Sequence, residues 1–175
     1  MPATTQHTEP TAVIEAVFDR INAHDAGGLR GWCADDLGED WPIVGHLDGK
    51  QEVIDYWAAL FAAFPDLHVR TLQIASDGEA VFVHWRMTGT FSGASITGIL
   101  PTGRAIDLRG TDYFTIRDGR ISAAFVAYDG MSFAAQAGVL PPRGSLADRA
   151  MTAAANVSTR LRRLPAPWRS RPKTS

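Results

Sequence analysis

The chain has 175 residues, 45% hydrophobic, a formal net charge of -2 at pH 7 and a single cysteine, Cys33. That is enough for one domain with its own core, and a lone thiol rules out an internal disulfide. Charge is uneven: 18 acidic and 9 basic residues lie between Met1 and Pro142, against one acid and 8 basic residues from Arg143 to Ser175. An acidic body argues against nucleic acid binding by the folded part, because phosphate contacts need Lys and Arg on that surface. The start, MPATTQHTEP, lacks the cationic and apolar leader of a secreted protein, and no apolar run is long enough to span a bilayer. With one cysteine, these features lead to the expectation of a cytoplasmic protein without a membrane span.

Residues 1–10 are polar and expected to be flexible. From Thr11, the spacing of Ile14, Val17, Phe18 and Ile21 predicts an amphipathic helix that closes at Asn22-Ala23-His24-Asp25. Asp25 can cap a short second helix reaching Trp32 and Cys33, weakened by Gly27, Gly28 and Gly31. DLGEDWPIVGHLDGK reads as an irregular connection with turn chemistry at Pro42 and Asp48-Gly49. Val53, Ile54, Trp57, Leu60, Phe61 and Phe64 predict a third helix over 50–64, stopped by Pro65.

The apolar period then changes from helical to two. His68 to Ser76 and Glu79 to Thr90 are joined by Asp77-Gly78, and the two halves of RAIDLRGTDYFTIRDGRISAAFVAYD by Asp118-Gly119, so two antiparallel hairpins are predicted. A short helix follows over 131–137. Helices first and a meandering sheet second give an α+β domain over 11–142, its N-terminal helices packed on one side of a curved sheet. Past Pro142 the composition shifts to a basic tail, 143–175, with capping-box spacing at Ser145 and Asp148 and a thin apolar stripe that predicts a helix over 146–164.

Counting outward from the Asp118-Gly119 turn places Asp112 opposite Phe125 and Leu108 opposite Asp129, with both acids on one otherwise apolar face, roughly 13 Å apart along the ladder. Among Phe125, Tyr128, Met131 and Phe133, Asp129 would lose hydration and become a general acid/base; alternatively it caps the helix that follows it. His84, Arg86 and Thr88 share one face of their strand, and Val83, Trp85 and Met87 the other. If the polar set lines the pocket, His84 shuttles a proton and Arg86 stabilises an enolate; otherwise it is an exposed face over an apolar core. Trp41, His46 and Tyr56 are expected near the pocket mouth. With one Cys and no histidines at ligand spacing, no metal is expected, and no glycine loop suits a nucleotide or flavin.

FPDLHV, AVFVHWRMTGTFSG, LPTGRAI and RGTDYFTIRDGRISAAFVAYDGMSFAAQAGVLP, in this order, resemble the SnoaL-like polyketide cyclases of the nuclear transport factor two-like superfamily. The resemblance covers roughly residues 11–141. It implies a cone-shaped α+β domain with one pocket, usually a homodimer, binding a hydrophobic small molecule without a cofactor. It also implies a cyclase or isomerase type of enzyme that closes a ring by intramolecular aldol chemistry on a polyketide-like carbonyl substrate. Asp129 would be the acid/base, with Asp112, His84 and Arg86 as further catalytic groups, and Trp41, Tyr56, Phe18, Phe125 and Trp57 would hold the substrate. Family cyclases can carry a histidine at the position of Asp112. Two other readings stay open: a non-catalytic binding or assembly module, and a limonene-type epoxide hydrolase, for which Thr88 stands where an Asp would be expected.

Overall fold

The computed structural model describes residues 9–141 and 143–162. Pro10 opens helix α1 (Pro10–Asn22), a position where its missing N–H and fixed φ cost nothing. The helix buries Val13, Ile14, Val17, Phe18 and Ile21. Its end is tied to the sheet by side chains. Asn22 exchanges two 2.8 Å hydrogen bonds with the Val69 backbone, and His24 bonds the Leu67 carbonyl while stacking on Phe61 at 4.8 Å. Asp25 then caps a short 3-10 turn, Gly27–Gly31, by accepting from Gly28 N–H.

That turn is all that forms of the predicted second helix. Cys33 instead begins a strand, β1 (Cys33–Trp41), which pairs with β2 (Gly45–Asp48) in a stretch whose sequence reads as an irregular connection. The sheet therefore has six strands rather than four. Helix α2 (Lys50–Ala63) follows, then β3 (His68–Asp77), β4 (Ala80–Thr90), β5 (Ala105–Arg117), β6 (Arg120–Tyr128) and helix α3 (Gly130–Gln136). Strand order is β2-β1-β6-β5-β4-β3, antiparallel throughout except where β1 runs parallel to β6. This is the α+β architecture expected from the sequence, with a mixed, unclosed sheet.

The two hairpins differ in detail. Asp118 and Gly119 carry positive φ angles of 52° and 71° and place Arg117 opposite Arg120, the geometry of a two-residue I′ turn. The first hairpin turns one residue later than the Asp77-Gly78 signal suggests: Asp77 pairs with Ala80, so the loop is Gly78-Glu79. The second hairpin also contains an irregularity. Ile116 pairs with Ile121 but Thr115 with Ala123, which leaves Ser122 as an extra residue in β6. Beyond this bulge Asp112 faces Val126, not Phe125.

A continuous apolar core fills the concave side, from Val13 on α1 and Val53 on α2 to Val81, Val83, Leu108 and Phe114 on the sheet. Phe64, at the end of α2, stacks on Phe91 with ring centroids 5.1 Å apart. Residues from Leu140 onward form a separate unit. Within it α4 (Leu146–Arg162) begins with the expected cap, Ser145 Oγ accepting from Asp148 N–H, and positions 163–164 of the predicted helix lie outside the described residues. No described helix is long and apolar enough to cross a membrane. Because Phe64 is only 1% exposed, Phe64→Ala should lower the urea-unfolding free energy by about 3–5 kcal/mol; a loss under about 1 kcal/mol would show that this end of the core is loosely packed.

Candidate functional site

Side-chain alternation decides what the sheet presents to its helices. On β5 the inward set is Ile106, Leu108, Gly110, Asp112, Phe114 and Ile116; on β4 it is Val81, Val83, Trp85, Met87 and Gly89. Asp112 is therefore an acid in an otherwise apolar row, opposite Val83 on one side and Val126 on the other, and only 6% exposed. A second buried acid joins it. Glu39 on β1 alternates inward with Leu37 and Trp41 and is 5% exposed.

Both acids line a cavity of about 30 Å³, closed by Phe18 and Ile21 from α1 and by Trp57 from α2, with Cys33 on its wall. No Lys, Arg or His lines it. Burial without a compensating cation disfavours the carboxylate forms. Burial is the main cause that lifts Asp112 to about 7, against smaller opposing effects of the Trp85 indole and the Ala127 backbone. Glu39 rises to about 8, through burial first and the charge of Asp112 second, with the Trp41 indole opposing. The two indoles lie beside the acids without well-formed hydrogen bonds, so Trp41 Nε1, Trp85 Nε1 and Asp112 Oδ1 are all buried and unpartnered. Cys33, pushed up to about 11 by burial, stays a neutral thiol.

Aromatic rings pack beyond the acids. Trp41 meets Tyr56 edge-on at 4.9 Å, Trp57 at 5.6 Å and Tyr128 at 6.5 Å, and Tyr128 in turn meets Trp85 at 6.3 Å and Phe133 at 6.2 Å. Tyr56, Trp57, Tyr128 and Phe133 are only partly buried, so one rim of this cluster meets solvent while Trp41 and Trp85 stay buried.

Of the residues singled out from sequence, Asp112, Phe18 and Trp57 line the cavity, and Trp41 and Tyr56 belong to the ring cluster. Four others lie elsewhere. Asp129 is exposed, and its Oδ1 accepts from the Met131 and Ser132 amides as the N-cap of α3. The capping alternative is the one realised. Phe125 projects from the outer face, 53% exposed. Both displacements have one cause: the extra residue at Ser122 exchanges the faces of everything after it in β6.

His84 and Arg86 also belong to the outer face, because Val83, Trp85 and Met87 take the inward positions. Arg86 is held there by a two-pronged ion pair with Asp107 at 2.7 and 2.6 Å. Arg86, Thr88 and Asp129 are consequently not brought together around a water or an epoxide. Glu39 is absent from the sequence reading; its only signal is the alternation Leu37-Gly38-Glu39-Asp40-Trp41, obscured by glycine and flanking acids.

The raised acids couple protonation to folding. The folded chain keeps protons that the unfolded chain, with ordinary values of 4.5 and 3.8, releases. Their contribution is fully present below about pH 4 and is lost as pH rises through the folded-state values. Urea unfolding should show stability falling between about pH 5 and 8, with a decline shallower in Glu39→Gln by at least about 1 kcal/mol. Identical slopes would mean that Glu39 ionises normally.

The sequence matches the SnoaL-like domain family over residues 14–124. No curated protein matches it significantly. Solved structures do. A proposed SnoaL-like polyketide cyclase from Jannaschia sp. CCS1 superposes with a TM-score of 0.68 at 21% identity, covering 75% of this chain and 93% of that one. IdmH, a proposed polyketide cyclase from Streptomyces antibioticus, gives 0.63 at 25% identity over 75% and 99% of the two chains. AclR, a proposed hydroxylase from Streptomyces galilaeus, gives 0.66 at 16% identity over 89% and 98%. On the family match over most of its folded body, and on a fold shared with these structures, the chain belongs to the SnoaL-like domain family.

Proposed function

We propose that the protein is a cofactor-independent enzyme of the cyclase or isomerase type. It uses Asp112 as general acid/base on a hydrophobic, polyketide-like carbonyl compound and closes a ring by intramolecular aldol addition. The observation that carries this reading is Asp112 itself: a mid-strand acid facing inward among apolar residues, with an unpartnered oxygen and a proton affinity near neutrality. A carboxyl of that affinity can take a proton from a carbon between two carbonyl groups and return one to the alkoxide formed when the new carbon–carbon bond closes. The ring cluster supplies flat apolar surface that folds the substrate so that its reacting carbons meet.

Fold likeness alone does not choose the reaction, since proposed cyclases and a proposed hydroxylase share this architecture. One observation favours a second reading, a binding or assembly module: the cavity, as the rings stand, is water-sized, well below the several hundred Å³ of usual ligand sites. A substrate thus enters only when rings of the cluster turn aside.

A homodimer is supported by Phe82, Tyr113 and Phe125, which stand side by side on the outer face of β4, β5 and β6, all exposed. A second copy would cover that apolar row. Phe125→Lys should convert a dimer to a monomer in sedimentation equilibrium, whereas an unchanged mass would place any contact elsewhere.

The two readings separate on a pair of variants assayed for ring closure of an aromatic polyketide methyl ester. Asp112→Asn should lower kcat by about 10²–10⁴-fold. Asp129→Asn keeps a good capping residue and should stay within about threefold of wild type. Full turnover by Asp112→Asn would remove the enzymatic assignment of this residue.

A further inference from the structure

Glu39 enters none of the steps above, yet it is the more deeply buried of the two acids and shares the cavity with Asp112. Its strand is one removed from that of Asp112: β6 lies between, with Ala124 opposite Glu39 and Val126 opposite Asp112. The two positions are thus separated by roughly 10 Å across the strands, two interstrand steps, and by about 7 Å along them, the two-residue stagger between Ala124 and Val126. The small Ala124 side chain leaves the space above β6 open for the carboxyls to lean towards one another. Both carboxyls face the same cavity, so an O=C–C–H unit admitted there lies between a hydrogen-bonding group and a proton-transferring one.

Each acid also has its own indole. Trp41 follows Glu39 on the same face of β1. Trp85 reaches Asp112 by lying across Gly110, where a Cβ would come within 2.2 Å of Trp85 Cζ2 and 2.6 Å of the Ala127 carbonyl oxygen. Any larger residue at 110 would displace the ring.

The other titratable groups around the pair are neutral. They are Cys33 on β1, Tyr56 on α2 and Tyr128 on β6, the phenols pushed up by burial. Helix α1 contributes only Val17, Phe18 and Ile21 to the cavity. Lys50 at the start of α2, whose charge is felt at Cys33, is ion-paired with Asp35. Two carboxylates in a dry, cation-free space repel, so the second proton is retained when the first has left.

We infer that Glu39 is a second catalytic carboxyl, holding one proton jointly with Asp112, and that the site therefore takes an uncharged ketone or β-dicarbonyl in preference to a carboxylate or phosphate. This rests on the reading of Asp112 as acid/base and adds the group on the far side of the substrate. In the step assigned to the pair, the ionised Asp112 takes the proton from carbon. The C–H electron pair becomes the C=C bond, and the carbonyl π pair takes the Glu39 proton to give the enol O–H. Asp112 ends protonated and Glu39 ionised, and no oxidant, metal or cofactor is consumed. An anionic substrate would bring a third negative charge into the same hollow.

The test has a spectroscopic arm that needs no substrate. In full-length protein with ¹³C-labelled side-chain carboxyls, one Glu signal, assigned by its loss in Glu39→Gln, should titrate near neutrality. In Asp112→Asn its midpoint should fall by at least about half a pH unit as the repelling charge is removed. An ordinary Glu39 midpoint in the wild type, or one that Asp112→Asn does not move, overturns the pair. In the kinetic arm Glu39→Gln should lower kcat at least about tenfold, and the methyl ester should exceed its free acid at least about tenfold in kcat/KM. If Asp112→Asn loses turnover while Glu39→Gln keeps it, only the role of Glu39 fails; if Asp112→Asn keeps it, the enzymatic assignment of Asp112 fails first.

Discussion

The constraint on which this molecule depends is a one-residue slip in a β-ladder. Side chains alternate with period two, so an extra residue at Ser122 exchanges inside for outside along the remainder of β6. It brings Val126 and Tyr128 to the concave side, turns Phe125 to the outer face and leaves Asp129 free to cap α3. An unbroken ladder from the turn at Asp118-Gly119 would turn Ala123, Phe125 and Ala127 inward instead.

The composition of the hollow follows from that choice of faces. Its wall is built from aliphatic and aromatic residues and the Cys33 thiol, and the two carboxyls enter it without a basic partner. Folding has to tolerate an electrostatic cost there, and keeping protons on the acids is the cheapest way to do so. The outer face is the reverse. Arg86 and Asp107 form one ion pair there, and Arg117 reaches Asp36 in another at 2.9 Å. These pairs sit in water and add little to stability.

The sequence made the local parts of the fold legible. Helices α1 and α2 announce themselves by apolar spacing, and both hairpins by a DG dipeptide between alternating segments. It was silent where pairing is non-local. CADDLGEDW has one glycine and four acids, poor material for a strand on its own, and it is extended because β6 offers a parallel edge and β2 folds back on it. The bulge was illegible for a related reason: nothing in DGRISAAFV distinguishes Ser122, and either register turns an apolar set inward. These two gaps account for the missed Glu39 and for the displaced Phe125 and Asp129. His84 and Arg86 have a simpler explanation. Burial preference alone sends Val81, Val83 and Met87 inward, and it prevails over any role for the polar side of β4.

Cys33, the single thiol in the chain, is 3% exposed on the wall that Glu39 and Asp112 share. An alkylating reagent in solution meets that thiol only when the side chains that cover it move aside. The rate at which the label arrives therefore clocks spontaneous opening around the cavity, and the native residue serves as a stopwatch for the motion that would admit a guest.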